Sequence, residues 1–512
     1  MGLHSLYSNL RSINPSYIAC SWRFISSNSL SIDTTAGESS LSRKDQNDEL
    51  KSRIFRLIFP RRSATTVLQN WVDEGRRVSV SELRRICKQL MNFRRYKHAL
   101  EILTWMEDQA RFQISAADHA IRLELITKVH TLKEAEEYFA IIPNSASQKA
   151  ACLPLLHLYV KERATEKAEA LMLKMNGLGL IVNPHPFNEM MKLYMATSQY
   201  EKVASVILQM KQNKIPRNVL SYNLWMSACG ELSGVASAEM VYKEMLNDKN
   251  VEVGWSSLSS LANIYLKSGL CDKATLALRK AEKKLSNCNR LGYFFLITHY
   301  ASLKNRDGVL RLWEACKAVE GRITCADYMC ILSCFVKLGD IEEAERVFME
   351  WESQCRKYDI RVSNVLLGAY MRNGLMEKAE SLHLRTLEKG GRPNYKTWEI
   401  LMEGWVKSQD MDKAISAMKN GFSLLKHCDW RPSPSTVVTI AEYFEKKGNI
   451  VDAKRYVEFI RRLGLASLPV YKSLLRMYAC TQAPIQEILK MMQKDEINMD
   501  DETSALIQAF KV

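Results

Sequence analysis

Apolar residues recur with helical spacing from Leu50 to the carboxyl end, and no sustained period-two stretch bounded by turn residues interrupts them. A longer rhythm lies over this local one. Tyr159, Tyr194, Cys229, Tyr265, Tyr300, Phe335, Tyr370, Trp405, Phe444 and Tyr478 follow one another at intervals of 35, 35, 36, 35, 35, 35, 35, 39 and 34 residues. A small residue stands nine positions after most of them: Ala168, Ala238, Ala274, Ala344, Ala379, Ala414 and Ala453. A single globular core has no reason to keep such a metre. A stack of two-helix units does, because each unit presents the same faces to its neighbours and cannot bury its apolar side alone. The pattern therefore predicts an all-α fold built from helical hairpins.

The unit is clearest over 360–394, where Val362, Val365, Leu366, Leu367 and Tyr370 make an apolar face, Gly374 breaks the helix, and Glu377-Lys378-Ala379-Glu380 opens a second one. Residues 325–359 repeat the layout with Phe335, Gly339 and Glu342-Glu343-Ala344-Glu345. Gly269, Gly339, Gly374 and Gly448 share one phase, which suits a chain reversal between paired helices. Short polar pieces close the units, as in Lys214-Ile215-Pro216-Arg217-Asn218, Gly391-Arg392-Pro393-Asn394 and Trp430-Arg431-Pro432-Ser433; proline there stops the second helix. Ahead of the first unit, Leu68, Trp71 and Val72 predict a capping helix within 51–79, after a polar linker over 33–50.

Composition refines this picture at three points. No apolar run reaches the ~20 residues that cross a bilayer. The 13 cysteines are scattered with no C-x-x-C pair, which fits a reducing compartment; Cys325, Cys330 and Cys334 fall in an apolar helical segment and read as buried thiols, with no metal or other cofactor implied. The net charge of +15 favours a polyanionic partner, and the basic excess is densest between Lys51 and Lys97, as a solvated helical surface or a binding patch. Residues 1–32 are serine-rich, carry Arg11 and Arg23, and hold no acid before Asp33, the composition of an organellar transit peptide. Arg23-Phe24-Ile25-Ser26-Ser27 resembles a mitochondrial processing site cut near Phe24 or Ile25, so a mitochondrial address is expected, with the chloroplast as the alternative.

The 35-residue metre, the opening Ser221-Tyr222-Asn223 and the closing Ile215-Pro216-Arg217-Asn218 resemble pentatricopeptide repeats of the pure (P) class found in plant organelles. The tetratricopeptide unit is one residue shorter and opens differently, so it fits less well. The resemblance implies a right-handed superhelical α-solenoid of about twelve helix-turn-helix repeats, drawn here as an array over 80–500 with a partial helix over 501–512. It also implies binding of single-stranded organellar RNA, one base per repeat, read by a polar residue of the first helix and the last residue of the repeat. Carried onto this sequence, the reading pairs are Asn188 with Asn218, Asn223 with Gly254, Ser259 with Asn289, and Asn364 with Asn394. The resemblance assigns pyrimidines to the asparagine pairs and adenine to the serine–asparagine pair. Each asparagine also suits a helix cap or turn.

Other units depart from the pattern: Leu153 pairs with Asn183, Phe294 with Thr324, Met329 with Asp359, Glu399 with Ser433, and Val438 with Ser467. Phe294 suits either stacking on a base or packing on a neighbour. No H-x-E with P-C-x-x-C, phosphate-binding glycine loop, H-E-x-x-H or G-x-S-x-G occurs, so no enzyme is expected, nor a small-molecule substrate or a membrane role. The expected function is RNA binding in transcript stability, processing or translation. The alternative is a structural component of the mitochondrial ribosome or another organellar complex, alongside RNA-processing proteins.

Overall fold

Every regular element in the computed structural model is an α-helix, 27 in all among the described residues, which are 49–57, 62–109, 112–286, 290–424, 431–481 and 484–508. The expected transit peptide, its processing site, most of the polar linker and Asn289 lie outside the described residues. From Val80 to Lys494 the helices form twelve successive pairs, preceded by Leu50–Phe55 and Ala64–Asp73 and followed by Asp501–Gln508. Val219–Ser233 with Val235–Asn247 is one pair, and Ile360–Arg372 with Met376–Glu388 another. The third pair begins at Ser145, because the Asn144 side chain accepts the Ser147 N–H and caps the helix there.

The chain divides into two compact units, 1–285 and 286–512. Within each, a first helix packs on its own second helix and on the first helix of the next pair, as Ala116–Val129 does on Ser145–Lys161 and Ile360–Arg372 on Tyr395–Lys407. The alanines of the nine-residue mark lie in these contacts: Ala168, Ala238, Ala274, Ala344, Ala379 and Ala414 have no exposed surface. At such sites a larger side chain would force packed helices apart.

The tyrosines of the metre do more than fill space. Glu169, one residue after Ala168, accepts hydrogen bonds from Tyr194 Oη at 2.9 Å and Lys202 Nζ at 2.8 Å, both in the following pair. Glu239 does the same with Tyr265 and Lys273 at 2.8 and 2.9 Å, and Glu345 with Tyr370 and Lys378 at 2.8 and 2.7 Å. Each ammonium also lies over the tyrosine ring, 5.2, 5.6 and 5.8 Å from its centroid. Burial, then the carboxylate, raises all three phenol pKa values, and the lysine hydrogen bond lowers those of Glu169 and Glu239. These staples are half in water, so each ion pair contributes about 1 kcal/mol or less. Their role is to fix the setting of one hairpin on the next.

The turn inside nine of the twelve hairpins passes through positive φ at one shared phase. Gly269, Gly339, Gly374 and Gly448 have φ of 74, 83, 73 and 67°. At the same phase Arg94, Arg163, Ser198, Lys304 and Gln409 adopt φ of 58, 57, 58, 57 and 64°.

Candidate nucleic-acid interface

The closing residue of a unit is the N-cap of the next first helix, which follows from its short polar side chain and extended backbone. Asn218 caps Val219–Ser233 and Asn394 caps Tyr395–Lys407, each with φ near −110° and ψ of 178°. Capping employs only the side-chain oxygen: Asn218 Oδ1 accepts the Ser221 N–H at 3.0 Å, and Asn394 Oδ1 accepts the Thr397 N–H at 3.0 Å. The amide NH2 groups stay available. Cap and reading position are therefore compatible in one residue.

The structure brings the first-helix asparagine to this cap in both cases. Asn188 Nδ2 donates to Asn218 Oδ1 at 3.1 Å, and Asn364 Nδ2 donates to Asn394 Oδ1 at 3.2 Å. A hydroxyl completes each cluster: Ser221 Oγ donates to Asn188 Oδ1 at 2.8 Å and Thr397 Oγ1 to Asn364 Oδ1 at 2.9 Å. Ser221 and Thr397 are fully buried, Asn188 and Asn364 are nearly so, and the caps are half-buried. With both amide oxygens occupied, the hydrogens left unbonded in each cluster are all N–H: one on the first asparagine and two on the cap. Such a face accepts a base edge that offers acceptors.

The other expected positions differ. Asn223 is as buried as Asn188, yet Gly254 offers no side chain; Asn223 Nδ2 reaches only Ser256 Oγ at 3.5 Å. Its Oδ1 and the nearby Ser257 Oγ are both buried with no hydrogen-bond partner among the described residues. Ser259 is buried in Trp255–Lys267, and its partner position Asn289 lies outside the described residues. Phe294 packs on Trp313, with ring centroids 6.3 Å apart, so packing is the outcome of its two readings. Asp359 is bound to Arg361 Nε at 3.0 Å and Nη2 at 2.7 Å, Glu399 to Lys396, and Leu153 is exposed and apolar.

Cations recur at a fixed phase on both helices of the pairs; at the ends of first helices Lys161 is paired with Glu162 and Lys267 with Glu231. The second-helix cations Lys167, Lys202, Lys273, Lys378 and Lys413 are all paired with glutamates of the preceding unit. Exposed Lys337, Arg372 and Lys407 stand instead at the ends of first helices, at one phase, and none is paired with a carboxylate among the described residues. They sit about two turns along the same helices from the reading positions. A cation there complements the helix C-terminus and has the charge to attract a phosphate. Within the dense early segment, Arg53 and Arg76 reach Glu74 and Arg84 reaches Asp118, while Arg77, Arg85 and Lys88 are exposed.

Beside Asn188, Glu189 is buried against His157 Nδ1 at 3.2 Å and Lys192 Nζ at 2.7 Å. Burial alone would raise its pKa, but the His157 hydrogen bond and the Lys192 charge outweigh it and hold the carboxyl down at about 2. Thr397 and the first-helix cations were not picked out in the sequence, and Ser221 only as part of the opening Ser221-Tyr222-Asn223. Their signals were present: a hydroxyl 33 residues after each paired asparagine, and a 35-residue spacing from Lys337 to Arg372 to Lys407. Among the described residues no group of three or more His, Cys, Asp or Glu is arranged to hold a metal, and no helix is long and apolar enough to cross a membrane.

Comparison with known proteins bears on these features. The Pentatricopeptide repeat domain model matches 170–232, and the PPR repeat model matches 220–249, 327–355 and 362–391. A pentatricopeptide repeat-containing protein of Arabidopsis thaliana is 58% identical over 470 residues, covering 91% of this chain and 96% of its own length. A second from the same plant, named mitochondrial, is 36% identical and covers 70% of this chain and 88% of its own. Among solved structures, the pentatricopeptide repeat protein PPR10 from maize superposes with a TM-score of 0.50 at 17% identity, over 87% of this chain and 68% of that one, a likeness of fold.

Proposed function

Since the chain belongs to the pentatricopeptide repeat family, we propose that it binds single-stranded RNA in an organelle, the mitochondrion, and acts on transcript stability, processing or translation without catalysing a reaction. One observation carries this reading: the two hydrogen-bonded clusters, Asn188–Asn218 and Asn364–Asn394, keep N–H donors unbonded at the boundary between one repeat and the next. Donors in that position select base edges with acceptors, and cytosine alone offers two adjacent acceptors, N3 and O2, on its pairing edge. The unpaired cations at the ends of first helices favour the phosphate backbone, and affinity then falls steeply with salt. Asn188, Asn218, Asn364 and Asn394 are the reading residues on this proposal, with Ser259 and Asn289 as a third pair; Asn223 contributes weakly. The polar linker, amino-terminal cap, repeat array and carboxyl-terminal helix are proposed as drawn from the sequence, with residues 1–32 as a mitochondrial transit peptide.

The test is crosslinking of tagged protein in isolated mitochondria, with bound RNA sequenced after a gradient separates ribosomes from free complexes. A short footprint on one or a few messenger RNAs is expected. Crosslinks confined to ribosomal RNA in ribosome fractions would replace this reading with a structural role in the ribosome, and absence of crosslinks would remove RNA as the partner.

A further inference from the structure

We infer that Ser221 and Thr397 are positioning residues of the reading site: each hydroxyl holds the preceding first-helix asparagine with its oxygen inward and its NH2 outward, and so sets which bases the repeat accepts. The inference rests on the RNA-binding reading above. A side-chain amide is two-faced, because rotation by half a turn about its last bond exchanges a donor for an acceptor. Asn188 gains its direction from two bonds, one to the Asn218 cap and one from Ser221 Oγ at 2.8 Å. The Ser221 hydroxyl also lies 3.0 Å from Asn218 Oδ1, but that oxygen already receives the Asn188 and Ser221 N–H groups, which leaves Asn188 Oδ1 as the open acceptor. Thr397, Asn364 and Asn394 repeat the arrangement bond for bond.

Two contrasts separate this role from simple capping. Among the described residues there are four reciprocal capping boxes; two use aspartate at the third helical position, Asp118 and Asp327, and two use a hydroxyl, Ser221 and Thr397. A cap alone is satisfied by aspartate, whereas a carboxylate has no hydrogen to give an amide oxygen. Hydroxyls stand where an asparagine faces them. In the repeat that follows Asn188 the same pieces fail to meet: Asn223 Oδ1 and Ser257 Oγ are both buried with no hydrogen-bond partner among the described residues.

The test uses the full-length protein and a synthetic pool of random single-stranded RNA, with bound molecules sequenced and melting followed in parallel. The wild type should enrich acceptor-edged bases at two positions five nucleotides apart, matching the five-repeat separation of the clusters. Ser221→Ala with Thr397→Val should cut that enrichment roughly fivefold, the worth of about one orienting hydrogen bond, while total RNA bound changes little. Ser221→Thr with Thr397→Ser should restore it. Asp327→Ala, which opens the Thr324–Asp327 capping box, should lower the melting temperature without touching base choice. Unchanged enrichment in the hydroxyl-less variant overturns the positioning role and leaves RNA binding standing. A wild type that retains no RNA from the pool overturns both.

Discussion

Two neighbouring repeats carry the same asparagine at the same depth and do different things with it. Asn188 and Asn223 are each 2% exposed, on first helices one unit apart. The first is gripped by a cap asparagine and a serine hydroxyl. The second faces Gly254, in a unit one residue longer, and its oxygen has no partner among the described residues. On the proposed reading, a base-selecting position takes three residues from two repeats, and an asparagine in the first place does not make one by itself.

The contrast has an electrostatic side, which gives its largest expected effect. Glu189 follows Asn188, whereas Leu224 follows Asn223. The Glu189 carboxyl titrates near 2 in the fold against an ordinary 4.5, so its stabilisation is complete above about pH 4.5 and is lost as pH falls towards 2. Urea unfolding as a function of pH should therefore show the wild type losing about 3 kcal/mol more over that window than Glu189→Gln. Equal slopes would remove the charge cluster from the account. Next in size, alanine at Asn188, Asn218, Asn364 and Asn394 together should abolish base selection at both clusters and weaken RNA binding about thirtyfold, whereas Asn223→Ala should cost less than about threefold. Filter binding decides it, and a large loss from Asn223→Ala would erase the distinction between the repeats. Smallest is the reverse experiment. Gly254 is an N-cap with extended backbone, no side-chain bond and open space around its missing Cβ. Gly254→Asn should raise stability by about 0.5 kcal/mol and bring a third position into base selection, read by melting and by the random pool.

The stack was legible in the sequence because burial writes a period: the alanine mark and the aromatic metre fall where hairpins touch, and both survive in most units. The staples were legible only in part. Tyr194, Tyr265 and Tyr370 stood out as apolar markers, but their hydroxyls act through Glu169, Glu239 and Glu345, which one-dimensional spacing leaves 25 or 26 residues away. The interface was harder still. Asparagine suits caps, turns and recognition alike, and the hydroxyl that distinguishes them belongs to the next repeat. Phe294 illustrates the same limit, since nothing in its neighbourhood along the chain marks Trp313 as its packing partner.

The hairpin turns carry a consequence for how such a chain drifts over time. Five of them place a side chain, at Arg94, Arg163, Ser198, Lys304 and Gln409, in backbone that glycine adopts freely. Each stores about 1 kcal/mol of conformational strain, yet every one of these hairpins closes with the same geometry as those built on glycine. The metre is therefore enforced from the interior, by packed alanines, and the turns merely follow it. Mutation can wander through the corners of this molecule without disturbing its count.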